Sequence, residues 1–251
     1  MPSEIRVVGL DGIPEVKPGD DLAELIAGAL ATTGMTLEDG DILVVTHKVV
    51  AKAEGRLVDL STIEPSPFAQ DYADRYEKDA RQVEVVLRES NRIARMGHGV
   101  MICETRHGFI CANAGVDASN IDGDHVVCLL PVDPDASASR IRAGLRERLG
   151  VAPAVIVSDS FGRPWRKGQV NVAIGVAGMS PFADYRGQTD PYGYEMRVTI
   201  MAVADELAAT AELLGRKTDA RPVALIRGYE YAPGEGSARE LVMDPERDLF
   251  R

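Results

Sequence analysis

Three cysteines in 251 residues, Cys103, Cys111 and Cys128, cannot all pair and have no C-x-x-C spacing. Neither a disulfide framework nor a cysteine-rich zinc site is expected. Long apolar runs are also missing: a run such as that around 152–157 is far too short to span a bilayer. No basic stretch followed by an apolar one opens the chain, so no secretory signal is expected. A cytoplasmic location without membrane contact is the expectation. Positive charge is scarce, with 28 Lys and Arg against 39 Asp and Glu and a formal net charge of −11. A net anion is repelled by a phosphate backbone unless its cations cluster, so nucleic acid is not an expected partner. The familiar catalytic signatures fail as well. There is no G-x-x-x-x-G-K-[ST], no G-x-G-x-x-G, no H-E-x-x-H and no G-x-S-x-G. The four histidines, His47, His98, His107 and His125, have no metal-ligand spacing.

What is present is ordinary for a soluble globular protein: 45% apolar and 27% charged residues. Strand-like apolar runs fall at 5–10, 42–46, 99–104, 108–111, 125–130, 154–158, 170–176 and 223–226. Helical spacing is seen from Leu22, behind an Asp cap, and again at 66–93, 137–149 and 197–214. Arg106-His107-Gly108 between two apolar runs predicts a hairpin turn. Strands and helices therefore do not simply alternate. The expected class is α+β, with a mixed sheet, flanking helices and one domain over 1–251. The long helix at 66–93 is expected to open a smaller inserted subdomain near 57–98.

Four polar segments break the local pattern. Thr46 to Arg56 follows a buried-looking run and carries His47, Lys48 and Lys52, with Lys52 expected to be exposed. It suits a phosphate or a solvated turn. Cys111 to Asn120 places Asp117 and Asn120 around the tight-turning Gly115, which suits a hard cation such as Mg²⁺ or Mn²⁺, or an Asx-rich turn without a ligand. A buried run ending in Asp159-Ser160, expected to pass into a loop with Arg163, Trp165, Arg166 and Lys167, favours a polyanion over a basic surface loop. Gly215 to Pro222 suits either phosphate or a polar turn. Two Asp-bearing strand ends with basic loops imply metal-assisted chemistry on a phosphorylated ligand.

These segments, in this order, resemble the coenzyme F420-0:gamma-glutamyl ligase family over essentially the whole chain. The resemblance starts at Leu10-Asp11-Gly12-Ile13-Pro14-Glu15-Val16 and runs through the segments above to 223–228. It implies a GTP-dependent ligase that joins L-glutamate to coenzyme F420-0 by an amide bond and adds further gamma-linked glutamates. It also implies Mg²⁺ or Mn²⁺ (two divalent ions), K⁺ as activator, and an intertwined homodimer. No flavin-reductase-like C-terminal domain is expected. Carried across, the divalent-ion ligands fall on Asp117, Asp159 and Ser160. The GTP contacts fall on Ile13, Pro14, Glu15, Val16, His47, Lys52 and Asn120, with more near 215–222. The family often has Ser or Gln near His47 and Thr at Ser160, and both replacements keep a polar group.

The implied mechanism needs no protein nucleophile, in line with the missing Ser and Cys motifs. Arg163, Arg166 and Lys167 are candidates for holding phosphates or carboxylates. Three rivals remain: a ligase of the same fold acting on another acid and amino acid, a nucleotide- or deazaflavin-binding protein without turnover, and a structural, interaction-only relative, against which the full set of polar strand ends speaks.

Overall fold

The computed structural model describes residues 4–119, 125–215 and 220–249. Three runs form the middle of the main sheet: β2 (Ile42–Thr46), β8 (Ala154–Arg163) and β12 (Val223–Arg227). Ile42 to Val45, Ala154 to Val157 and Val223 to Ile226 are all buried. Such unbroken apolar runs suit strands covered on both faces. With β1 (Arg6–Gly9) and β9 (Arg166–Ala177) they form one sheet in the order β1-β12-β2-β8-β9. Only β2 and β8 are parallel; the other neighbours are antiparallel, so the sheet is mixed as expected.

Helices α1 (Leu22–Thr33), α5 (Pro134–Leu149) and α6 (Val203–Glu212) pack their apolar faces into the core of this sheet. Asp21 caps α1 as expected, accepting from the N–H groups of Ala23 and Glu24. The edge strand β9 is closed off by side chains. Asp205 of α6 accepts from Ala173 N at 2.8 Å and Asp135 of α5 accepts from Val176 N at 2.8 Å. Backbone donors that a second strand could otherwise claim are thereby satisfied.

A second buried cluster, including Leu60, Tyr72, Val83, Val86, Cys103 and Val127, lies apart from the first. It is enclosed by α3 (Pro67–Tyr76), α4 (Ala80–Arg88), the sheet of β4 (Ser90–Gly97), β5 (Val100–Thr105) and β6 (Ile110–Ala112), and the pair β3 (Leu57–Asp59) and β7 (Val126–Cys128). The expected hairpin at 106–108 joins β5 to β6, with Gly108 N donating to Thr105 O.

The single helix expected over 66–93 is two helices and a strand. Glu77 takes a left-handed φ of 53°, and Asp79 starts α4 by accepting from Arg81 N. Periodicity hides the break because Tyr72 and Val83 face the same small core. The helix expected over 197–214 begins only at Val203, because Ile200 and Met201 (β11) pair with Ala183 and Asp184 (β10).

Candidate active site

Strand direction decides what meets at one edge of the main sheet. The carboxyl ends of β1, β2 and β8 and the amino ends of β12 and β9 all arrive there. Crevices beyond the carboxyl ends of parallel strands are the usual ligand sites of open sheets. Here a cavity of about 910 Å³ opens, near the top of the range for small-molecule sites (roughly 300–1,000 Å³).

The loop after β1 supplies Ile13, Pro14, Glu15 and Val16 to the wall. Helix α2 (His47–Ala53), directly after β2, supplies His47, Lys48 and Lys52. Lys52 is 8% exposed, not the exposed lysine expected, because its stem lies in the wall; its Nζ reaches Glu15 Oε1 at 2.5 Å. Asp117 enters from the second cluster, tied to Cys128 by reciprocal backbone hydrogen bonds of 3.1 and 2.8 Å. Gly115, two residues earlier, has a φ of +73°, and a Cβ there would lie 2.7 Å from Leu130 Cγ. Only glycine allows this close, left-handed turn.

Asp159 and Ser160 also line the cavity, but not from a loop. Strand β8 continues through them to Arg163 because β9 pairs with it along that length. A register shift between Val157 and Ser158 marks a bulge just before the two residues. Bulges of this kind re-aim side chains next to active sites. Arg163, Arg166 and Lys167 sit at the hairpin tip and are not part of the cavity wall, and Trp165 beside them is 85% exposed. Asn120 and residues 216–219 lie outside the described residues.

Asp117 and Asp159 each face a cation of the chain itself. Lys48 Nζ lies 2.7 Å from Asp117 Oδ2, and Ser119 N donates to Asp117 Oδ1 at 2.8 Å. Burial pushes the Asp117 carboxyl up, but the Lys48 ammonium and the Ser119 donors outweigh it and hold it below its ordinary value. His47 Nδ1 lies 3.1 Å from Asp159 Oδ1. Burial works to lower the imidazole pKa, and the Asp159 carboxylate overcomes it and raises it to about 9. Cys111, also in the wall, is pushed up to about 12 by burial and then by Asp159, so it is no ready thiolate nucleophile.

The oxygen donors of Asp117, Asp159 and Ser160 suit a hard divalent cation. Among the described residues no three His, Cys, Asp or Glu side chains converge as a ready-made metal site. Mg²⁺ is commonly bound through one or two carboxylates together with phosphate oxygens and water. Lys48 and His47 place positive charge where such an ion would otherwise neutralise the carboxylates. Asn171 and Glu212 line the cavity without having been singled out from the sequence. The signal for Asn171 was a lone amide in the apolar run Val170-Asn171-Val172; Glu212 in the last turn of α6 carried none.

The F420-0:gamma-glutamyl ligase family matches residues 12–228. The coenzyme F420:L-glutamate ligase of Methanothermobacter thermautotrophicus is 48% identical over 250 residues, covering 98% of this chain and 99% of that protein. The protein of the same name from Methanopyrus kandleri is 48% identical over 242 residues, 94% of each chain. That from Methanocaldococcus jannaschii is 41% identical over 251 residues, 99% of this chain and 97% of its own. These matches span the sheet, the second cluster and the cavity alike, and the chain belongs to the F420-0:gamma-glutamyl ligase family and is a ligase.

Proposed function

We propose that the chain joins L-glutamate to coenzyme F420-0 at the expense of GTP, and adds further glutamates by gamma linkage. The observation that carries this reading is the pair of carboxylates, Asp117 and Asp159, on one cavity wall with Lys48 and Lys52. A polyphosphate needs both kinds of charge: cations to hold its oxygens directly, and carboxylates to hold the divalent ions that travel with it. Ile13, Pro14, Glu15, Val16, His47 and Asn120 are the further nucleotide contacts in this reading.

A carboxylate oxygen of F420-0 attacks the γ-phosphorus, and the bond to the GDP oxygen breaks, giving an acyl phosphate. The glutamate nitrogen then attacks the acyl carbon, phosphate leaves and the nitrogen gives up a proton. When bound, Mg²⁺ or Mn²⁺ supplies charge neutralisation on the phosphate oxygens. The chain's own part is positioning and electrostatic compensation. Lys52 steadies phosphate from a buried stem, and the Leu10 to Val16 loop walls off one side of the cavity. K⁺ joins as activator, with no residue assigned to it.

The second buried cluster reads as a smaller subdomain whose task is to carry Asp117 to the cavity. The chain acts as a homodimer in this reading. Support comes from the arm over 183–201, where Tyr192, Tyr194 and Val198 are 96%, 67% and 86% exposed. Where exposed apolar side chains form a contiguous patch, they mark a surface for a partner. Incubation with GTP, L-glutamate, Mn²⁺ and F420-0, followed by mass spectrometry, tests the function. Glutamylated product with stoichiometric GDP is expected. Nucleotide binding without product, or product only with another acid or amino acid, overturns it.

A further inference from the structure

Asn171 is 5% exposed in β9 and stands directly opposite Ser160 in the β8–β9 register. Its amide is held at both ends. Ser160 Oγ donates to Asn171 Oδ1 at 2.7 Å, and Asn171 Nδ2 donates to Glu212 Oε2 at 3.0 Å. An ionised carboxylate accepts and cannot donate, so the NH₂ end of the amide must face Glu212 and the carbonyl end must face Ser160. A carbonyl oxygen also only accepts, so the shared proton in the second bond must come from Ser160. Glu212 thus sets, through Asn171, the direction of a hydroxyl proton two side chains away. A serine hydroxyl has one proton and two lone pairs. With the proton committed to Asn171, the lone pairs serve as acceptors or ligands. All three side chains line the cavity.

We infer that Glu212 and Asn171 are positioning residues that orient Ser160 Oγ for a divalent cation; this rests on the proposed reading of Ser160 as a cation ligand. Neither needs to touch the cation. Replacing Asn171 with Leu, similar in size but without polar atoms, removes the acceptor that fixes the direction of the Ser160 proton. Truncating Glu212 removes the group that forbids the amide to flip, and a flipped amide would donate to Ser160 Oγ and take up a lone pair. Outer partners that orient metal ligands are typically worth roughly 10–100-fold in metal affinity.

The test measures Mn²⁺ affinity with GDP present, by the electron paramagnetic resonance signal of free Mn²⁺. The variants are Ser160→Ala, Asn171→Leu, Glu212→Ala and the double variant Ser160→Ala/Glu212→Ala, with thermal unfolding as a check on folding. Asn171→Leu and Glu212→Ala should each weaken Mn²⁺ binding roughly tenfold or more. Ser160→Ala should weaken it at least as much. Adding Glu212→Ala to Ser160→Ala should cost nothing further, because both act through one hydroxyl. Wild-type affinity in Asn171→Leu and Glu212→Ala, with Ser160→Ala weakened, overturns the inference and leaves the ligand reading standing. Wild-type affinity in Ser160→Ala removes that reading and the inference with it. A further loss in the double variant would mean that Glu212 acts other than through Ser160 and would overturn the relay. If Asn171→Leu does not fold, the Glu212→Ala pair decides, since Glu212 is partly exposed at a helix end.

Discussion

Asp117 and Asp159 differ from surface aspartates in facing a common cavity, each against its own cation. Asp117→Asn and Asp159→Asn keep the shape of the side chain but remove its charge and turn one acceptor oxygen into a donor. Each should lower glutamate-dependent GDP release roughly a hundredfold or more at saturating Mn²⁺, with the folded state retained by circular dichroism. Without a cation to hold, both positions would tolerate Asn, and near wild-type turnover would sink the cation role of that residue. Lys52 calls for a different substitution. Its stem is buried, so Lys52→Ala mixes lost packing with lost charge, whereas Lys52→Met keeps the stem. Lys52→Met should raise the apparent KM for GTP while circular dichroism stays unchanged; an unaltered KM would count against a phosphate contact. The pairing of Lys52 with Glu15 could not be foreseen, because 37 residues separate them and only the fold brings the two segments together.

Strand β9 and helix α5 meet at a point that tolerates no side chain. A Cβ on Gly175 would lie 2.3 Å from the Pro134 carbonyl oxygen in the first turn of α5. Backbone cannot move aside as a flexible side chain can, so Gly175→Ala should push α5 from β9 and strain the bond from Val176 N to Asp135. Overpacking of this kind costs about 1–3 kcal/mol, occasionally more. Urea unfolding should show the loss as a lower midpoint at unchanged slope, and a midpoint equal to wild type would refute the contact. Element identity was legible wherever length and composition agreed, as in the buried runs of β2, β8 and β12. It failed at 66–93, where one apolar period spans a left-handed residue at Glu77, and at Asp159, where the partner strand extends β8 beyond its apolar run.

For the whole molecule, a ligand that binds the folded chain and not the unfolded one must stabilise it. Mn²⁺ with GDP at about a hundred times the dissociation constant should add about 2.7 kcal/mol, seen as a rise in Tm that EDTA reverses. No rise at millimolar Mn²⁺ and GDP would contradict a nucleotide cavity at the sheet edge. Light scattering should give twice the chain mass of 27.0 kDa, and a particle of 27.0 kDa at all micromolar concentrations would refute the dimer. The amino-acid sequence by itself determined the α+β class, the buried central strands and the polar segments that hold His47, Lys52, Asp117, Asp159 and Ser160. Those properties are local: apolar runs, turn residues and charge at the end of a run are visible within a dozen positions. Tertiary structure alone decided that these segments share one cavity, that the tip bearing Arg163, Arg166 and Lys167 does not line it, and that Ser160, Asn171 and Glu212 form one chain of hydrogen bonds. The reason is strand direction and register. Which ends meet at a sheet edge, and which side chain stands opposite which, is set by pairing between segments far apart in sequence, and no single segment contains that information.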